Sequence, residues 1–296
     1  EMATARMGTA LALAVPAPIA LALAKDVISN VSAPVMLGLG LLVAGFFAFL
    51  WYVTMDKKLD KSIEESNETP DDEKFKLKDI VFIISNRGFW LIAFLCVMFY
   101  SGIFPFLFYA ADLMVNKYHV DPKFAGIIPS LLPFGTILLT PFFGNIYDRK
   151  GKGATIMLIG SVMLLLVHSV FAVPGLDSSV LAVALIILLG ITFSLVPSAM
   201  WPSVPKIIPE RQLGTAYALI FWVQNIGLML VPILIGNVLE NRCKVLDENG
   251  SLSHYDYTLP MVIFAATGAL AIIIAFWLKA EDKRKAYGLE LPNIQK

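Results

Sequence analysis

Apolar runs of roughly 20 residues or more, the length a bilayer-crossing helix needs, recur eight times along this chain. They fall at about 2–24, 34–54, 88–116, 124–146, 153–173, 179–205, 213–239 and 258–279. The pattern predicts an all-α membrane protein with eight transmembrane helices. The longest polar interruption, 55–87, mixes both signs of charge and contains Thr69-Pro70-Asp71-Asp72-Glu73. Such a composition reads as a flexible or loosely helical cytosolic linker. Four regions follow: two helices at 1–54, the linker at 55–87, a six-helix bundle at 88–279 and a cytosolic tail at 280–296. Membrane transporters are often built from two related halves. The two-plus-six count therefore predicts a fragment, with about four spans expected before it.

Lys and Arg sort by side. The loops after the second, fourth and sixth runs, with the tail, hold most of them, including Lys57, Lys58, Arg87, Arg149, Lys150, Lys206, Arg211 and Arg284. The opposite side holds Lys25, Lys117, Lys123, Arg242 and Lys244. Positive loops stay cytoplasmic, so both ends of the chain are expected in the cytosol.

Composition agrees with the runs. Hydrophobic residues make up 57% and charged residues 16%, against about 25% charged in ordinary soluble domains. The 23 basic and 23 acidic residues cancel, which says little because they are segregated by loop. Cys96 lies in an apolar run and Cys243 in a polar loop, and the three histidines lack metal-ligand spacing. No metal or cofactor is expected, nor a soluble enzyme's catalytic motif, nor a nucleic-acid patch.

Ionisable and amide groups inside a bilayer are costly, so each is a functional candidate. Arg6 sits in the first run beside Thr4, Gly8 and Thr9, small neighbours that suit a helix contact or a cavity. A snorkelling anchor at the membrane boundary is the competing reading. Asp112 falls near the end of its run and reads as an interface residue; His168 reads as a structural histidine. Tyr100, Phe104 and Phe108 repeat every four residues beside Pro105. That stripe suits packing or lipid contact as well as a cavity, with Tyr100 the member expected to turn inward, since its hydroxyl needs a partner. Gln224 and Asn225 are paired amides at mid-run, expected to bond across helices or face a wet cavity. Prolines at 129, 133 and 141, and at 197, 202 and 205, mark two helices that bend.

The segment from Gly144 to Gly153 is a basic, Gly-punctuated turn between two runs. Arg149, Lys150 and Lys152 suit a cytoplasmic loop, and Gly144 and Gly151 allow close approach of helix ends. Asp148 is expected to face the positive start of the helix near Gly214. This turn resembles the G-x-x-x-D-R-x-G-R/K signature of the major facilitator superfamily in its second copy, with Gly153 replacing the last basic residue. The resemblance implies that superfamily's fold, with this chain holding helices five to twelve of twelve. The gating residues are then Gly144, Asp148, Arg149, Gly151 and Lys152.

A closer likeness lies in Ala199-Met200-Trp201-Pro202, in the stretches from Ile208 to Tyr217 and Val223 to Leu228, and in Ala5-Arg6-Met7-Gly8. These are similar to the lysosomal dipeptide transporters of animals. That likeness implies dipeptide uniport without a cofactor, in a lysosomal membrane with the plasma membrane as alternative. It also implies a glycosylated single-span accessory subunit. The likeness implies Arg6 as a substrate contact, through a peptide carboxylate; Tyr100, Trp201, Gln224 and Asn225 are the other candidate substrate-binding residues. Two rivals stand beside this reading: a carrier of the same fold for a sugar, carboxylate or organic ion, and a receptor or scaffold that transports nothing.

Overall fold

The computed structural model describes residues 14–15, 32–65 and 77–294; Arg6 lies outside them. Two units, each taken by itself, comprise Ala14–Leu77 and Lys78–Lys296. Seven helices among the described residues are long and apolar enough to cross a membrane. They coincide with the second to eighth apolar runs.

In the first unit, helix α1 (Ser32–Glu65) holds a candidate membrane span at Pro34–Leu59. It continues past residue 54 into the stretch expected as a flexible or loosely helical linker. Hydropathy marks where a helix leaves hydrocarbon, whereas Lys and Glu continue it as good helix formers.

The second unit is a helical bundle. A short helix α2 (Leu77–Ile84) precedes α3 (Arg87–Ser101), α4 (Phe104–Asn116), α5 (Ile127–Lys150) and α6 (Gly153–Ala172). Then come α7 (Ser179–Ser203), α8 (Leu213–Arg242) and α9 (Thr258–Lys285). The main contacts join α6 to α9, α5 to α7, α6 to α7, and α3 to both α8 and α9. Between α8 and α9, strands β1 (Lys244–Leu246) and β2 (Leu252–Tyr255) form an antiparallel hairpin. Val245 pairs with His254, and the register shifts before Leu246. Asp247 Oδ1 closes the turn by accepting from the N–H groups of Asn249 and Ser251. This hairpin is the one departure from all-α structure among the described residues.

Backbone groups freed inside the bundle find partners from side chains. The predicted span 88–116 is two helices, because Pro105 has no N–H to offer the carbonyl of Ser101. The carbonyl of Gly102, at the break, meets His168 Nε2 from α6 at 2.8 Å. His168 is fully buried, its ring packed against Phe106, Phe171 and Phe264. Its role is the structural one expected. Ser161, Thr192, Ser194 and Ser203 donate to carbonyls four residues back, which satisfies buried hydroxyls without leaving the helix. α5 runs on through Pro133 and Pro141, and α7 through Pro197 and Pro202.

At the hairpin end, Lys117 Nζ donates to the carbonyls of Phe171 (2.5 Å) and Val173 (2.7 Å), terminating α6. A cation there also complements the negative helix C-terminus. Burial lowers the ammonium's pKa, while Asp256 and Asp177 oppose that shift.

At Gly268, α9 packs directly against the backbone of α6. A Cβ placed on Gly268 would lie 2.8 Å from the backbone nitrogen of Leu165. Backbone cannot step aside as a side chain can. Gly268→Val is therefore expected to destabilise the bundle by about 1–3 kcal/mol, as overpacking does. Thermal unfolding in detergent reads the effect, and an unchanged midpoint would contradict this packing.

Candidate functional site

Tyr100 and Trp201 meet. Trp201 Nε1 on α7 donates to the hydroxyl of Tyr100 on α3 at 3.0 Å, with both side chains almost fully buried. An indole N–H inside a membrane protein has to find an acceptor, and a tyrosine supplies one while keeping its ring apolar. Around this pair stand Phe104, 5.6 Å from Tyr100 between ring centres, and Phe193, 5.7 Å away. From α8, Phe221 stacks on Trp201 at 4.8 Å and 29°, and Tyr217 donates its hydroxyl to the Trp201 carbonyl at 3.1 Å. The cluster is closed where α3 meets α7 and opens along α8, where Phe221 is 46% exposed.

Gln224 lies one turn beyond Phe221 and is buried. Its Oε1 accepts from Cys96 Sγ of α3 at 3.2 Å, one turn before Tyr100. Its recorded bond is thus inside the bundle. Asn225 is exposed, and its Nδ2 donates to the carbonyl of Phe221 in its own helix at 2.8 Å. Tyr100 and Trp201 come together, then, while Gln224 is buried and its neighbour Asn225 is exposed. Sequence reasoning passed over Phe193, Tyr217, Phe221 and Cys96. The 217, 221, 224 spacing is a stripe on one helix face and was the available signal.

The turn between α5 and α6 has a different geometry from the one expected. Gly151 closes α5 with φ +68°, a conformation that suits glycine, and Lys152 follows with φ +62°. No Cβ fits at Gly151, since it would lie 2.5 Å from the Glu290 carbonyl. That carbonyl belongs to the segment after α9, which folds back across the turn. Lys152 N–H donates to Glu290 O (3.0 Å) and Gly153 N–H to Leu289 O (2.8 Å). Leu289 is fully buried.

The Glu290 carboxylate caps the start of α6, accepting from Thr155 N–H at 2.9 Å and from its hydroxyl. A carboxylate at a helix N-terminus satisfies donors that have no partner within the helix. Lys206 Nζ holds the same segment through the carbonyls of Gly288 and Leu291, while lying 5.2 Å above the Tyr147 ring.

Asp148 is part of this junction. Its Oδ1 accepts from Asn293 Nδ2 at 2.8 Å, and its carbonyl accepts from the N–H groups of Asn293 and Ile294. The start of α8, which Asp148 was expected to face, is instead engaged by α2. Gln212 Nε2 donates to Asp79 Oδ1 at 2.8 Å, with Arg211 Nη2 at 3.7 Å from the same oxygen. Gly144 has open space around it, and Arg149 and Lys152 are exposed.

Over residues 1–232, which include this turn, the sequence matches the profile of the Major Facilitator Superfamily. The chain belongs to the major facilitator superfamily. Within it, the chain is 30% identical over 213 residues to the lysosomal dipeptide transporter MFSD1 of Gallus gallus, covering 70% of this chain and 46% of that protein. The MFSD1 of Danio rerio is 28% identical over 270 residues, covering 87% and 53%. The human MFSD1 is 28% identical over 213 residues, covering 70% and 44%. The chain spans about half the length of these curated relatives. It is a multi-pass membrane protein with a fragment of the superfamily fold.

Two outcomes follow for this superfamily member. Tyr100→Phe strands the buried indole N–H of Trp201, which is expected to cost about 1–3 kcal/mol. The melting midpoint should fall, and tryptophan emission should shift as the indole loses its acceptor. Glu290→Ala removes the cap of α6 and should cost about 1 kcal/mol. Amide exchange over Gly153–Ile156 should then quicken while the rest of α6 stays protected; uniform exchange would contradict the capping role.

Proposed function

We propose that the whole protein carries dipeptides across a lysosomal membrane by uniport, through alternating access, with both ends of this chain cytosolic. The similarity to lysosomal dipeptide transporters supports the substrate class and the membrane. In transporters built of two halves, substrate binds near the bilayer midplane where the halves meet. The Tyr100–Trp201 cluster is the observation that carries the reading for this bundle: a rigid aromatic wall, with Tyr100 near the middle of its span, opening along α8. Such a wall accepts varied side chains by apolar contact and leaves charge recognition to another group.

That group is Arg6, whose guanidinium offers a peptide carboxylate a two-pronged match. Gln224 and Asn225 complete the substrate contacts on α8, and the Gly144–Lys152 turn acts as the gate. Uniport is supported by where the carboxylates lie. Asp148, Glu281 and Asp282 sit at one end of the bundle, and Asp112, Asp177, Glu240 and Asp256 at the other. A proton relay would use ionisable groups within the membrane. A glycosylated single-span accessory subunit is the partner in this reading, beside the lipid bilayer.

Counterflow into liposomes carrying the full-length protein, with labelled dipeptides, tests the proposal. Exchange of dipeptide is expected for the wild type, with loss in Arg6→Ala and Arg6→Lys at normal protein abundance. Exchange of a labelled sugar or carboxylate instead would make it a same-fold carrier of another solute. Dipeptide binding with no exchange would make it a receptor. Wild-type exchange in Arg6→Ala would remove Arg6 from the substrate site.

A further inference from the structure

A cavity lined by basic side chains lies away from the aromatic cluster. It has a volume of about 520 Å³ and sits at the Asp148 end, between α2, the start of α3 and the last turn of α9. We propose that this cavity binds the phosphoryl headgroup of an anionic phospholipid.

The charges in it do not balance. Arg87, Arg284 and Lys285 line the cavity against one carboxylate, Glu281. That carboxylate is almost fully buried and already engaged: Arg284 Nε reaches its Oε2 at 3.0 Å and Nη2 its Oε1 at 2.6 Å. Arg87 Nε stands 4.0 Å from Oε2. Glu281 thereby fixes two guanidinium groups at one wall and neutralises a single charge. Of about five N–H donors on a guanidinium, these bonds use two on Arg284. Both arginine side chains remain more than half exposed, at 65% and 59%. A phosphoryl group, with several acceptor oxygens in a compact anion, matches that remaining donor set.

The depth and the neighbouring surface select a lipid over a free anion. Arg87 opens one predicted span and Lys285 closes another, so the cavity lies at the level where hydrocarbon gives way to headgroups. Beside it, α2 turns Ile83 and Asp79 inward and leaves Val81, Phe82 and Ile84 exposed. Phe82 also lines the cavity. An apolar helix face next to cations is what an interfacial element presents to acyl chains and anionic headgroups together. Inorganic phosphate would use only the cations.

The purified full chain in neutral detergent provides the test, by native mass spectrometry. The probes are a phosphatidylinositol phosphate, phosphatidylcholine of the same acyl chains, and inorganic phosphate. The anionic lipid should be retained over phosphatidylcholine. Each basic side chain near an anionic headgroup is worth about a factor of five, so Arg87→Gln/Lys285→Gln should weaken retention roughly thirtyfold. The matched pair Lys150→Gln/Lys283→Gln, outside the cavity, should leave retention unchanged. If the first pair fails to fold, Lys285→Gln alone should show roughly a fivefold loss. Equal retention of phosphatidylcholine, or equal loss in both pairs, overturns the site. Displacement of the lipid by equimolar inorganic phosphate shows an anion site and overturns the lipid assignment.

Discussion

A carbonyl that loses its helical partner inside hydrocarbon has no water to turn to, and the architecture of this bundle follows from that constraint. The first helix of the bundle is broken after Ser101, yet the break is tolerated because His168 reaches the Gly102 carbonyl from α6. Once the histidine is committed there, Phe106, Phe171 and Phe264 close around it. The packing of α3 and α4 on α6 and α9 is thereby set. Trp201 obeys the same rule at the aromatic cluster, where its N–H selects Tyr100 and so fixes α7 against α3. Buried polarity locates helices here more sharply than apolar contact does, since lipid tails are as apolar as leucine.

The spans were legible because hydropathy over about 20 residues has few other readings, and seven of them reappear among the described residues. The superfamily was legible in the Gly144–Gly153 turn and is borne out by the match over residues 1–232. The break near Pro105 was announced by the proline itself. Its partner was not, because His168 comes from another helix, 66 residues further along the chain. Tyr100 could be singled out as the inward member of its stripe, since a hydroxyl needs a partner. Phe193 and Phe221 could not, as nothing distinguishes a phenylalanine in a cluster from one facing lipid.

Least legible was the segment after α9. Tyr287 to Asn293 carries no apolar run, no motif and no period, so it reads as a plain tail. Its position depends on main-chain groups: the carbonyls of Gly288, Leu289, Glu290 and Leu291 all accept bonds from the α5–α6 junction or Lys206. Sequence patterns report side chains, and here the backbone does most of the binding. The Tyr287, Glu290 and Asn293 side chains add to it, on Asn86, Thr155 and Asp148.

That arrangement has a consequence for biosynthesis. The chain is made from its N-terminus, so α5, α6 and the turn between them leave the ribosome long before the residues that complete them. Asn293 follows Asp148 by 145 residues, and Glu290 follows Thr155 by 135. Throughout that interval the first turn of α6 lacks its Glu290 cap, and Gly151 and Lys152 lack the segment that packs on them in the folded chain. This end of the bundle therefore matures only after α9 has been made. A nascent chain stalled before residue 289 lacks the main-chain contacts that close this turn in the folded chain.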